Sequence, residues 1–97
     1  FRTRNNGVRI MKTEVKIYNA FKDCMPNKTI IDVYETGIRD KLHVLVISEY
    51  LDEMNGKQMQ EYLFSILEKT LERNIITRQE FDRVTLMVPI SIEELKR

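Results

Sequence analysis

The chain is poor in the residues that most often cross-link a protein or carry its chemistry. Among 97 residues there is one cysteine, one histidine and no tryptophan. A single cysteine, Cys24, excludes an intramolecular disulfide and a zinc site built from several thiolates. No second histidine is available to complete a metal shell with His43. We therefore interpret Cys24 as a small buried side chain and His43 as a structural or surface residue, and neither as a ligand or catalytic group.

Glycine, proline and long apolar runs are also scarce. Three glycines and two prolines leave no room for a flexible linker, and the length suits one domain. No apolar run approaches the roughly 18 residues of a membrane-spanning helix, and no secretory signal is visible. There is no nucleophile elbow, phosphate-binding glycine loop or dinucleotide fingerprint. The sequence therefore predicts a cytoplasmic protein without membrane contact, without enzymatic activity, and without a cofactor or metal site.

Charge is unevenly distributed along the chain. The overall composition, 42% hydrophobic and 32% charged with a net charge of +1, is that of a folded globular protein. Four basic residues precede the first acid, whereas residues 13–97 hold 12 basic and 15 acidic side chains, a net charge of −3. The sequence that begins at Met11 also resembles a natural start. We therefore expect a basic arm over residues 1–12, flexible or non-native, followed by a single domain over residues 13–97.

The first half of the chain predicts a helix followed by a hairpin. Apolar residues at helical spacing indicate a helix over residues 13–25. Near one face lie Val15, Tyr18, Phe21 and Met25, with Ile17, Ala20 and Cys24 beside them. Residues 29–36 are rich in β-branched and aromatic side chains, which is typical of a strand. Residues 42–48 are almost continuously apolar, which indicates a central strand covered on at least one face. The short link between the two strands predicts antiparallel pairing.

The second half carries three helix-start signals. Asn55 and Gln58 predict the start of a helix that continues to about residue 73, and Thr77 to Glu80 has the capping-box spacing. Residues 83–88 predict a third strand that Pro89 should end, with Val84, Leu86 and Val88 on one side. A further capping box opens a last helix at Ser91. The order α-β-β-α-α-β-α predicts an α+β fold, a three-stranded sheet with two or three helices packed on one face.

Several of these segments together resemble the BolA-like family, whose fold is related to the type II KH domain. The resemblance covers residues 13–97 thinly and rests on short motifs. They are the helix ended by Pro26, the strand Ile30-Ile-Asp-Val-Tyr34, the strand Val44-Leu-Val-Ile-Ser48-Glu49, the pair Gly56-Lys57 that opens the long helix, and Ser91-Ile-Glu-Glu94 after the third strand. The resemblance implies the same topology as the element order does.

The chain departs from that family at the positions that matter for its chemistry. The family's long helix usually carries an Arg-His pair, where this chain reads Glu61-Tyr-Leu-Phe64. The family's third strand usually carries a histidine that helps to hold an iron–sulfur cluster with a monothiol glutaredoxin, where this chain reads Val84-Thr-Leu-Met87. The resemblance therefore implies a fold and not cluster binding.

One loop has a pattern that suits ligand binding. A glycine at a helix N-terminus lets an anion approach the free backbone N–H groups, and Asn55-Gly56-Lys57 places a lysine beside them. The same residues are equally typical of a plain turn and helix cap. Tyr62 and Met54, Met59 and Met87 are interpreted as core or edge packing.

Two functional hypotheses follow from these observations. The first is a non-catalytic interaction or regulatory domain whose partner is another protein or a second copy of the chain. The second is a KH-like binder of single-stranded nucleic acid that uses Asn55, Gly56 and Lys57 together with Arg2, Arg4 and Arg9 of the arm. The net negative charge of residues 13–97 opposes the second, because phosphate neutralisation dominates nucleic-acid affinity. An enzyme with an unrecognised site ranks last.

Overall fold

The fold is the α+β arrangement that the sequence predicts, with one parallel and one antiparallel strand pair. The structure is a computed structural model and describes residues 12–96. Its elements are α1 (Thr13–Cys24), β1 (Ile30–Glu35), β2 (Leu42–Ser48), a 3₁₀ turn (Glu49–Leu51), α2 (Gly56–Glu72), α3 (Arg78–Arg83), β3 (Val84–Ser91) and α4 (Ile92–Leu95). The 3₁₀ turn occupies the segment that sequence patterns leave unassigned.

Strand β2 is the centre of the sheet. The strand order is β1-β2-β3, with β1 antiparallel and β3 parallel to β2. Along β2 the side chains alternate strictly: Leu42, Val44, Val46 and Ser48 are buried and the three residues between them are half-buried. Because successive side chains point to opposite faces, this alternation shows that the helices cover one face of the sheet only.

The covered face packs against α1 and α2. Ile17 and Phe21 of α1 and Leu63 of α2 have no exposed surface, and they join Val44 and Val46 of β2 in one core cluster. Of the four residues predicted near one apolar face of α1, Phe21 and Met25 are buried, whereas Val15 is 44% exposed and Tyr18 is half-buried. The buried stripe instead follows Thr13, Ile17 and Phe21 at intervals of four.

Cys24 is exposed, which corrects its interpretation as a buried side chain. The helix turns the next residue, Met25, into the core and leaves Cys24 at the surface. The other packing predictions are confirmed: Met59 is buried, and Tyr62 is among the side chains that pack against the core, as are Met54 and Met87.

Strand β3 differs from its prediction in two ways. It runs through Pro89 to Ser91, with Pro89 opposite Val46. A proline is tolerated there because β3 is an edge strand, where a missing N–H can face away from the sheet. The pairing also shifts after Val84, so that Thr85 is skipped. Val84 therefore packs against the core while Leu86 and Val88 face the other way, whereas the sequence placed all three on one side.

The predicted helix starts are confirmed in detail. Full capping boxes form at Asn55 with Gln58, at Thr77 with Glu80, and at Ser91 with Glu94. Helix α2 ends with Asn74 in the left-handed region (φ 61°), and the N–H of Ile75 donates to the carbonyl of Thr70. This is the Schellman arrangement, in which asparagine is a common substitute for glycine.

Glu80 ties α3 to the start of α1. Its carboxylate accepts a hydrogen bond from the Thr13 hydroxyl (2.6 Å) and pairs with Lys16 Nζ (3.1 Å). It also accepts the backbone N–H of Thr77. Burial alone raises the pKa of Glu80, but the hydrogen bonds from Thr13, Thr77 and Lys16 and the charge of Lys16 outweigh it and lower the pKa to about 2.

We expect the Glu80 carboxylate to make the free energy of unfolding depend on pH in the acidic range. The folded pKa of about 2 lies below the ordinary value of 4.5, so the stabilisation is complete above pH 4.5 and is lost as pH falls toward 2. Allowing for the partial exposure of Glu80, its ionised side chain contributes roughly 2 kcal/mol to the free energy of unfolding. Glu80→Gln should therefore lower the free energy of unfolding at pH 7 and make little difference near pH 2. An equal loss at both pH values, measured by urea denaturation, would contradict the ionic role.

Candidate interaction surface

The face of the sheet opposite α1 and α2 is a regular grid of three rows, which we call the open face. The strand registers align Ile30, Ile47 and Ile90 in the first row. Asp32, Leu45 and Val88 form the second row, and Tyr34, His43 and Leu86 the third. Six of the nine side chains are aliphatic.

No described element packs over the centre of the open face. Ile30 is 56% exposed and Leu86 is 47% exposed, while the side chains of the central strand on this face are screened only in part. Isolated apolar side chains on a surface are ordinary, but a contiguous aliphatic patch is typical of a contact surface. The sequence could not single out this patch, because β2 is apolar on both faces.

The polar residues of the open face are gathered at one corner. The rings of Tyr34 and His43 are cross-strand neighbours in an edge-to-face arrangement, with centroids 5.6 Å apart. Asp32 lies on the same strand as Tyr34, two residues away and facing the same side. The open face is thus aliphatic along β3 and at the Ile30 row, and polar toward the hairpin, where the second half of β1 meets the start of β2.

Strand β1 leaves one edge of the sheet without a neighbouring strand among residues 12–96. The N–H of Thr36 donates to the carbonyl of Lys41, which continues the β1–β2 ladder. Because backbone groups alternate sides along a strand, Ile30, Asp32 and Tyr34 then bond to β2. The N–H and C=O groups of Ile31, Val33 and Glu35 therefore point away from the sheet, where a further strand would pair.

A groove runs beside this edge, between α1 and β1. It has a volume of about 300 Å³ and is lined by Glu14, Val15, Tyr18, Ile31, Asp32 and Val33. The walls are largely apolar, Glu14 supplies a carboxylate on the α1 side, and Asp32 lines the groove while its side chain points to the open face. The groove and the edge share Ile31 and Val33, whose side chains line the groove while their backbone groups face outward. We call this combination the α1–β1 groove.

The loop singled out from the sequence forms a helix cap. The Asn55 side chain accepts the N–H of Gln58 at 2.9 Å, and the Gln58 side chain accepts the N–H of Asn55 at the same distance. A Cβ added to Gly56 would meet open space, so no packing within the fold demands a glycine there. Lys57 is exposed. An anion would have to approach an N-terminus at which one donor is already taken by the cap.

The remaining predicted site residues, Arg2, Arg4 and Arg9, lie outside the described part of the chain. The structure therefore does not show whether they approach Asn55, Gly56 and Lys57, and a joint binding site for these six residues stays a prediction.

Two further observations concern residues 12–96 only. In this range no three histidine, cysteine, aspartate or glutamate side chains are grouped so that they could hold a metal ion. None of the helices in the same range combines the length and the apolar character that crossing a membrane requires.

Comparison with known proteins adds no relative: no family model, no curated protein and no solved structure matches this chain.

Proposed function

We propose that this chain is a small, non-catalytic interaction or regulatory domain with a BolA-like or KH-like shape, and that it works by binding another protein. The observation that carries the proposal is the open face, an aliphatic patch on a rigid sheet. Covering such a surface is favourable, at roughly 25 cal/mol for each Å² of apolar area removed from water. The element order is also that expected from the family resemblance.

The dimensions of the open face favour a partner that extends beyond it. Strand β2 has seven residues, so it is about 23 Å long, and three strands are about 14 Å wide. The sheet plane is then roughly 300 Å², well below the ~800 Å² per partner of a standard interface. A stable contact therefore needs additional surface, and the free edge of β1 adjoins the open face at Ile30 and Tyr34.

A capture experiment with matched variants tests the proposal. The full chain is immobilised and incubated with a lysate of its source organism. Nuclease treatment then removes proteins held through nucleic acid, and the proteins that stay bound are analysed. We expect the double variant Ile30→Lys/Leu86→Lys to lose the captured protein. Phe64→Lys is the matched control, because Phe64 is similarly exposed (43%) but lies on α2.

Two results would contradict this function. Capture of the same protein by the wild type and by the open-face variant would show that the open face does not contact the captured protein. Capture that consists of RNA, weakens with salt and is lost in Lys57→Glu would instead support the nucleic-acid alternative based on Asn55, Gly56 and Lys57.

A further inference from the structure

The edge of β1 has the geometry that strand addition requires. The outward N–H and C=O groups of Ile31, Val33 and Glu35 form one continuous hydrogen-bonding row. An extended peptide that pairs with this row becomes a fourth strand of the sheet, and its backbone bonds supply affinity without regard to sequence. Specificity then depends on the side chains that the new strand directs to each face of the sheet.

The α1–β1 groove receives the side chains on one face. In an added strand, residues i and i+2 point to the side of the sheet on which α1 lies. There they meet Val15 and Tyr18 on the helix and Ile31 and Val33 on the strand. A volume of about 300 Å³ is at the lower end for ligand pockets, which suits a few side chains of a peptide better than a large small molecule.

The residue between those two points to the open face, whose three rows include the carboxylate of Asp32 and no lysine or arginine. Asp32 is exposed and lies between Ile30 and Tyr34 on that side of β1. Glu14 adds a second acid at the groove, and no basic side chain lines it. A lysine or arginine at the middle position would place its charge near Asp32 and its alkyl stem along Ile30 and Tyr34.

The same acids argue against a second copy of the chain as the occupant. Symmetric antiparallel pairing of two β1 edges places Asp32 directly opposite Asp32 of the other copy when the axis passes through that residue. When the axis passes through Val33, the two carboxylates become diagonal neighbours. Like charges in these positions are destabilising, and charged residues on edge strands are a common protection against self-pairing.

We propose that the α1–β1 groove binds an extended segment of a partner protein as a fourth strand, with two aliphatic side chains in the groove and a lysine or arginine between them beside Asp32. This inference rests on the proposed interaction function and assigns it a site and a partner chemistry.

A pair of synthetic peptides tests the site on the full chain. One is Gly-Ser-Val-Arg-Ile-Ser-Gly with blocked ends, and the other has aspartate in place of arginine. We expect saturable binding of the arginine peptide by fluorescence anisotropy, with the aspartate peptide roughly threefold to fivefold weaker, as for a partly exposed ion pair. Asp32→Arg should reverse this preference.

Amide hydrogen exchange distinguishes strand addition from simple docking. In the free chain the amides of Ile31, Val33 and Glu35 should exchange quickly, while those of Asp32 and Tyr34, bonded to β2, exchange slowly. Saturation with the arginine peptide should slow the first set and leave the second set unchanged. This alternation is expected only if the peptide pairs with the outward edge of β1.

Three variants complete the experiment. Val15→Lys should weaken the arginine peptide roughly tenfold, because it places a charge in the apolar wall of the groove. Glu35→Pro should weaken it more than Glu35→Ala, because only the proline removes the outward N–H. Phe64→Lys, on α2, should have no effect.

Absence of saturable peptide binding would overturn the site, as would binding that Val15→Lys leaves unchanged. Protection of Ile31, Val33 and Glu35 that depends on protein concentration without peptide would show a second copy as the occupant and would also overturn it. In each case, capture that remains sensitive to Ile30→Lys/Leu86→Lys would leave the proposed interaction function standing.

Discussion

Val46→Asp should leave most of the chain unfolded in buffer at neutral pH. Val46 is fully buried on the covered face of β2, where it belongs to a cluster of apolar side chains. Burying an unpaired carboxyl group costs several kcal/mol, whether it stays charged or takes up a proton. A domain of this size has a free energy of unfolding of roughly 5–10 kcal/mol, so the substitution removes most of it.

The adjacent residue provides the matched control. Ile47 is the next residue of the same strand but faces the open face, where it is half-buried between Ile30 and Ile90. Ile47→Asp should cost about 1 kcal/mol, since its carboxylate stays in water and only partial apolar contact and strand propensity are lost. Circular dichroism and urea denaturation of the two variants would measure the difference.

The comparison tests which face of the sheet is covered. Equal and severe destabilisation by Val46→Asp and Ile47→Asp would mean that the second face is also buried, and the open face would not be available to a partner. A large difference between the two variants is what the structure requires.

Phe21→Ala should destabilise the chain by about 3–5 kcal/mol. Phe21 has no exposed surface and belongs to the core cluster, which joins α1 to α2 and β2. Removing a buried aromatic ring loses its transfer free energy and leaves a cavity that the rigid sheet can fill only in part. Urea denaturation should show a lower midpoint with an unchanged slope, which is the signature of lost stability without a change of fold.

Phe64→Ala is the control for ring removal. Phe64 is 43% exposed on α2, and its main described aromatic contact is the edge-to-face pair with Phe81 at 5.9 Å. We expect a cost of about 1 kcal/mol, mostly from that pair and partial burial. If both substitutions cost the same, the assignment of Phe21 to the centre of the core would be wrong.

Local patterns predicted most of the elements correctly. The three capping boxes could be read from the sequence because a cap depends on residues three apart, whose distance is fixed as soon as a helix begins. The long apolar stripe of α2 was equally clear, since only one face of a 17-residue helix can be buried against a small sheet. The short link between β1 and β2 fixed their antiparallel pairing for the same local reason.

The predictions that failed concerned the rotation of an element or its end. The predicted apolar face of α1 differs from the buried one because apolar residues lie on two adjacent stripes of the helix. Only packing against the sheet selects the stripe of Ile17 and Phe21. The prediction that Pro89 ends β3 failed because proline is tolerated in an edge strand, and edge position depends on strand order and not on the strand's own sequence.

The candidate site also separates features that depend on local sequence from features that depend on long-range pairing. The sequence predicts a possible binding loop at Asn55, Gly56 and Lys57 because these residues are adjacent in the chain. The structure places them at a helix start with a complete capping box. The α1–β1 groove joins Val15 to Val33 across two elements, and the open face joins residues of all three strands. No sequence window contains either surface, because each is created by long-range pairing.

The sequence by itself determined which segments become helices and strands, since capping, periodicity and short links act over a few residues. Only the tertiary structure decided which faces are covered. Val46 and Ile47 are both β-branched and apolar, and they differ only in the side of the sheet to which the pleat directs them. Within residues 12–96, the helices cover the side of Val46 and leave the side of Ile47 and the outer edge of β1 uncovered.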